Sequence, residues 1–285
     1  MFDFLYYKLA NIIYEIDLDP NQEEAFKWFK KAAEQGLDDA QFQLGLYYEE
    51  ENPEEASKWY KKAAEQGHAT AQLNLGLYYD KKENLEEAFK WFKKAAEQGD
   101  SEAQYICGCG YLGGTGTEEN SEEAFKWFKK AAEQGHIEAQ NNLGTLYYNG
   151  TGTEENNEEA FKWFEKAAEQ GHSSAQYNLG YLYENGIGTE KNTEQAFDWY
   201  KKAADQGDAD ALNTLESAKQ DFEHYKKEAE NGSRLEQWAL GCCYEAGKGT
   251  EKDKEQALKW YKKAAEQGMT LAQQKLDNWQ RTGRF

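Results

Sequence analysis

The residues of this 285-residue chain that could do chemistry are few. They include four cysteines, Cys107, Cys109, Cys242 and Cys243, and four histidines, His68, His136, His172 and His224. Four thiolates would suit zinc, but the Cys-x₂-Cys spacing of ordinary zinc sites is missing. Each close pair is too short for a structural disulfide, and the pairs lie far apart, so no disulfide framework is expected. The cysteines read as small, buried, reduced helix side chains. His68, His136 and His172 each follow a Gly that ends a helical pattern and read as surface turn residues. No Ser/His/Asp or Cys/His set comes together. The run Gly113-Gly114-Thr115-Gly116-Thr117 has the flavour of a phosphate loop. Such a loop needs N–H groups at a helix start and usually a Lys. Here no Lys-Ser/Thr follows, and Glu118 and Glu119 would repel phosphate. The acidic run Glu154-Glu155-Asn156-Asn157-Glu158-Glu159 lacks calcium-loop spacing and reads as a solvated capping segment. The expectation is no catalytic residue, no cofactor and no metal.

The charge balance narrows the partners. Lys and Arg number 33 against 53 Asp and Glu, a formal net charge of −20. Nucleic acid and anionic membrane both need a positive footprint, so neither is the expected partner. No apolar run reaches the length of a membrane span. The start, Met1-Phe2-Asp3-Phe4-Leu5-Tyr6-Tyr7-Lys8, lacks the pattern of a secretory signal. With reduced cysteines, this places the expected location in the cytoplasm.

What must position any site is a repeat. Glu23 to Gly36 reads EEAFKWFKKAAEQG and recurs unchanged at Glu86 to Gly99 and Glu122 to Gly135, and with one change, Glu165, at Glu158 to Gly171. The marker aromatics Trp28, Trp59, Trp91, Trp127, Trp163, Trp199, Tyr225 and Trp260 are spaced by 31, 32, 36, 36, 36, 26 and 35 residues. A period near 36 built of two helical segments predicts an all-α solenoid. One helix of each unit carries Ala-x-x-x-Leu-Gly-x-x-Tyr, as in Ala139, Leu143, Gly144 and Tyr147; the other carries Ala124, Trp127, Phe128, Ala131 and Ala132. Gly144 is expected to admit a close neighbour, because Gly otherwise weakens a helix by about 1 kcal/mol. Asn120 and Asn156 are placed as N-caps with Glu123 and Glu159 three residues on. Gly36, Gly67, Gly99, Gly135, Gly171, Gly207, Gly232 and Gly268 sit where a left-handed C-terminal cap is needed.

The pattern breaks once inside and at both ends. Asp208 to Asn231 contains neither Gly nor Pro, and the missing part is the Gly-rich turn. Two readings stand: one long helix fusing two repeat helices, or a tight turn near Ser217 to Gln220 with the solenoid continuing. The chain reads as a single solenoid over 1–285, with a regular block 1–207, the break at 208–232, and a short C-terminal block with its cap at 233–285. Leu5, Leu9 and Ile13 keep a helical rhythm as a degenerate first helix would. Asp277 replaces the motif Gly in the last helix.

These motifs resemble the Sel-one-like repeat family, relatives of the tetratricopeptide repeats. The match comprises the Leu-Gly-x-x-Tyr helix, a Gly-x-Gly turn such as Gly150-Thr151-Gly152, and the Ala-x-x-Trp-x-x-x-Ala-Ala helix with its Gly stop. It covers nearly the whole chain. The resemblance implies a right-handed superhelix of about eight helix pairs, with the Leu-Gly-x-x-Tyr helices lining the concave side, in a non-enzymatic scaffold or adaptor. A secreted, Cys-rich branch has been described as penicillin-binding or weakly β-lactamase-like, but this chain lacks its regular Cys pairs. The chain also departs at Thr153, Thr189 and Thr250, where Val often follows the turn. By this analogy the groove presents Phe42, Leu73, Tyr105, Asn141, Tyr177 and Trp238, two residues before the motif Leu. It also presents Leu46, Leu77, Cys109, Thr145, Tyr181 and Cys242, two residues after it. A second reading has Phe42, Leu73 and Trp238 only packing against the next repeat. Glu49, Asp80, Glu184 and Glu245 would rim the groove with negative charge, which suits a basic or aromatic-bearing peptide. The protein alone would be a monomer. The alternatives are a partnerless, consensus-like or designed array and a β-lactam-binding enzyme.

Overall fold

The computed structural model describes residues 22–283. The expected degenerate helix at Leu5, Leu9 and Ile13 lies outside the described residues. Among the described residues there are fifteen α-helices and no strand. In chain order they are α1 (Gln22–Glu34), α2 (Asp38–Tyr48), α3 (Pro53–Glu65), α4 (Ala69–Lys81), α5 (Leu85–Glu97), α6 (Ser101–Gly113), α7 (Ser121–Glu133) and α8 (Ile137–Asn149). They continue with α9 (Asn157–Glu169), α10 (Ser173–Asn185), α11 (Thr193–Asp205), α12 (Ala209–Glu230), α13 (Arg234–Ala246), α14 (Lys254–Glu266) and α15 (Thr270–Thr282). The chain falls into two compact units, residues 1–139 with 151–153, and residues 140–150 with 154–285. Within the first, consecutive helices pack from α1 through α7; within the second, they pack from α9 through α15. This is the all-α solenoid architecture expected from the period.

The helix ends follow from local chemistry. The Asn52, Asn84, Asn120, Asn156 and Asn192 side chains accept from the backbone N–H three residues on, and Asp253 does the same. Acidic residues fill the first turns, where the exposed N–H groups and helix dipole favour them. Each Trp-bearing helix in the regular repeats ends at a Gln followed by Gly in the left-handed region, as at Gly171 (φ 95°).

The helices interlock through a ring seated on a glycine. A Cβ on Gly144 would stand 2.8 Å from the Phe164 ring, and one on Gly180 would stand 2.8 Å from the Tyr200 ring. What the motif Gly admits is therefore an aromatic side chain of the following helix. The tryptophans Trp59, Trp91, Trp127, Trp163 and Trp260 are buried. Over their faces lie lysines three residues on, such as Lys94 at 3.8 Å from Trp91 and Lys202 at 3.6 Å from Trp199. These lysine stems and charges thus cover the packing layer.

The Gly-x-Gly turn is a docking device, with no phosphate-loop features. Gly186 (φ 69°) ends α10 with a left-handed cap, and Gly188 (φ 65°) lies so close to the start of α9 that a Cβ would meet the Asn157 carbonyl oxygen at 2.0 Å. Where that turn is missing, Ala209–Glu230 forms one 22-residue helix, lying inside the second unit. Its C-terminal half keeps the repeat register. Gly249 sits against the Ala218 carbonyl and Phe222, as Gly116 sits against Leu85 and Phe89. Phe222 meets Tyr244 edge-on at 5.3 Å, as Phe161 meets Tyr183 at 5.1 Å. This register puts the exposed His224 at the Trp position and Tyr225 one residue beyond, so Tyr225 is not the Trp counterpart read from spacing.

Candidate partner-binding faces

The two columns expected to face a groove differ in exposure. Two residues after the motif Leu, Leu46 is 40% exposed, Leu77 41% and Tyr181 40%, while Cys109, Thr145 and Cys242 are half-buried. Two residues before it, Phe42, Leu73, Tyr105, Asn141, Tyr177 and Trp238 are all half-buried. Phe42 stacks on His68 at 4.6 Å and Tyr105 on His136 at 4.6 Å; each also leans on the ring of the next helix, Tyr60 and Phe128. Tyr177 meets Tyr200 at 5.5 Å, and Asn141 accepts from Asn178 at 3.3 Å. Leu73 and Trp238 join the cores of the helices that follow them.

Three of the four acidic rim residues have a structural task. The carboxylates of Glu49 and Glu184 accept from the buried hydroxyls of Tyr60 (3.0 Å) and Tyr200 (2.9 Å), and Glu245 accepts from Tyr261. Glu245 also holds Lys275 at 2.6 Å. Where the ring is Phe92, Phe128 or Phe164, the equivalent residues are Asp80, Leu112 and Tyr148. Tyr with Glu, and Phe without it, is a pairing readable from the repeats alone, and the motif reading passed over it.

Two further features were missed. The first is a ladder of buried glutamines. Gln41, Gln72, Gln104, Gln176 and Gln237 each donate to an Ala carbonyl near the preceding helix end. Their side-chain oxygens accept from the end glutamines of the next Trp-bearing helix, as Gln98 to Gln72 and Gln206 to Gln176, both at 2.7 Å. The signal was the recurring Gln after the start of each Leu-Gly helix, preceded by Ala except at Gln237, opposite a Gln-Gly pair. The second concerns the histidines. His68, His136 and His172 are half-buried N-caps, whose Nδ1 accepts from the N–H of Ala71, Ala139 and Ala175. Asp100 and Asp208 do the same work at the equivalent positions. The surface-turn reading is corrected accordingly: the residue is a cap because its ring nitrogen satisfies an orphan helix donor.

All four cysteines are free. Burial pushes the Cys107 and Cys243 thiols up to about 12, and burial raises Cys109 and Cys242 as well. Such thiols are poor nucleophiles. Among the described residues no cluster of His, Cys, Asp and Glu is arranged to hold a metal ion. No helix among them is long and apolar enough to cross a membrane.

The fold and its ring-on-glycine packing define an α-helical repeat protein of the tetratricopeptide-like class. The Sel1 repeat pattern matches residues 5–37, 38–68, 69–100, 101–136, 137–172, 173–208 and 237–269, and the chain belongs to the Sel1 repeat family. The pattern skips 209–236, the stretch that contains the whole of α12. Two solved structures are similar. One is c5321, a protective antigen of uropathogenic Escherichia coli strains with an SLR fold, at 36% identity and TM-score 0.64. The match covers 90% of this chain and 60% of that one, so this chain spans less than two thirds of its length. The other is a Sel1 repeat protein from Oxalobacter formigenes, at 29% identity and TM-score 0.63, covering 91% of this chain and 96% of that one. None of the curated proteins compared is similar to the chain. Sel1 repeats are commonly protein-interaction scaffolds.

Proposed function

We propose that this protein is a non-enzymatic scaffold that binds a segment of a partner protein on the faces formed by its Leu-Gly-x-x-Tyr helices. The observation that carries this reading is the recurrence of exposed apolar side chains at equivalent positions of the repeat. In the first unit these are Leu46 and Leu77, with Phe42, Leu73 and Tyr105 half-buried beside them. In the second unit Tyr181 plays the same part, with Asn141, Tyr177 and Trp238. A rigid helical frame that repeats its exposed apolar positions suits anchoring residues of an extended or helical segment. The net charge of −20 favours a basic segment and speeds its encounter. Glu49, Asp80, Glu184 and Glu245 contribute to that field even where they also hold a tyrosine.

The test separates binding from folding. The variants Leu46→Ser with Leu77→Ser, and Tyr181→Ser, remove exposed side chains and should leave the melting temperature within a few degrees of wild type. Affinity capture from the source lysate is then compared by mass spectrometry. A partner retained by wild type and lost from one variant supports the assignment of that face. Equal recovery by all three proteins moves binding elsewhere, and recovery of nothing favours an array without a partner.

A further inference from the structure

The α5–α6 pair departs from its neighbours in a concerted way. Ile106 stands where the other regular repeats carry Asn74, Asn142 and Asn178, and Gly110 stands where the second unit has Leu146 and Leu182. Leu85 opens α5 where α7, α9 and α11 open with Ser121, Asn157 and Thr193. Two of these changes make the surroundings apolar, and the third seats the Phe89 ring where a Cβ on residue 110 would stand, 2.6 Å away. Beside them lies a cavity of about 150 Å³ lined by Leu85, Phe89, Phe92, Ile106, Cys109 and Gly110. Phe89 and Phe92 are buried at its base, whereas Leu85 is 40% exposed.

Asp80 also lines this cavity and is exposed. At the equivalent positions Glu49, Glu184 and Glu245 accept from a tyrosine hydroxyl. The ring here is Phe92, which offers no hydroxyl, and no hydrogen bond or ion pair engages the Asp80 carboxylate among the described residues. The nearby Lys82 is held by Glu54 at 2.8 Å. An unpaired carboxylate at the open side of an apolar cavity is complementary to an aliphatic chain that ends in a cation.

We propose that this cavity accepts a lysine side chain of the partner segment, its methylenes against Phe89, Phe92 and Ile106 and its ammonium on Asp80. The inference rests on the scaffold reading and names one anchor of the partner. Lysine fits because its charge is compact and sits on a four-carbon stem, so the stem is buried while the ammonium stays at the wet rim.

The experiment probes the pocket without the partner. The full chain with labelled Ile and Leu methyl groups is titrated with n-butylammonium and followed by NMR. The Ile106 and Leu85 methyl resonances should shift saturably, and n-butanol at matched concentration should bind about tenfold more weakly. Asp80→Asn, an exposed isosteric change, should weaken n-butylammonium about tenfold with an otherwise unchanged methyl spectrum. Ile106→Asn, which restores the residue of the neighbouring repeats, should abolish the Leu85 shift. No saturable shift, equal binding to Asp80→Asn, or equal binding of n-butanol would overturn the pocket. Tighter binding of n-butylguanidinium would overturn the choice of lysine. Since no partner is present, these outcomes are independent of the capture experiment: a pocket that binds n-butylammonium stands even if no partner segment is captured.

Discussion

A hydroxyl carried into the repeat core by Tyr200 must find an acceptor, and Glu184 supplies it at 2.9 Å. Removing the acceptor alone strands a buried donor. Glu184→Leu should therefore cost about 1–3 kcal/mol in urea unfolding, and adding Tyr200→Phe should recover most of the loss. Phe128 with Leu112 at the equivalent position is the same solution already in the chain. Burial, then the Glu184 charge and hydrogen bond, hold the Tyr200 hydroxyl well above the ordinary tyrosine range. The unfolded chain releases that proton near pH 10, while the folded chain keeps it (about 10 being the free tyrosine value). The stabilisation is thus complete below that pH and is lost as pH rises toward the folded value. Tyr200→Phe should show a shallower loss of stability than wild type above pH 10. At this scale the co-occurrence of Tyr and Glu was open to reading from the repeats. The unpaired Asp80 was not, because its meaning depends on which ring the fold places beside it.

A helix of this protein is delimited by chemistry within four residues of its ends, and this is why the spacing of Asn, Gly and Glu marked the elements so closely. The histidine caps belong to the same logic. Replacing His172 with Ala removes the acceptor for the Ala175 N–H and should lower stability by about 1 kcal/mol, whereas His172→Asp should stay near wild type, as Asp208 does at the start of α12. Thermal unfolding of the two variants side by side checks this. Their caps were misread because His was judged by its place after the helix-ending Gly and not by its place three residues before an orphan donor. The 22-residue α12 has the opposite origin: with no Gly-x-Gly pair to turn the chain and dock it on the previous helix, the apolar rhythm of Ala211, Ala218, Phe222 and Ala229 runs on unbroken.

Within each of the two units, consecutive helices pack on one another, so stability there is a sum of local interfaces. A change at the end should stay at the end. Leu276→Ala, which empties a buried position of α15, should cost about 2–5 kcal/mol locally and speed hydrogen exchange in α14 and α15. Amides of α3 to α6 should exchange at wild-type rates; a uniform increase would show global cooperativity instead. The same locality explains what the sequence by itself determined: the helices, their caps, the period and the ring-on-glycine motif are dictated by residues within one repeat length. Tertiary structure alone decided which of the expected groove residues turn inward onto the next ring, which glutamines meet across about thirty residues to form the ladder, and where a void opens. Asp80 lies in α4, Phe92 in α5, and Ile106 and Gly110 in α6, and their types are ordinary taken singly. Only packing sets their separation, and a cavity with an unpaired charge at its edge is a property of that sum of contacts.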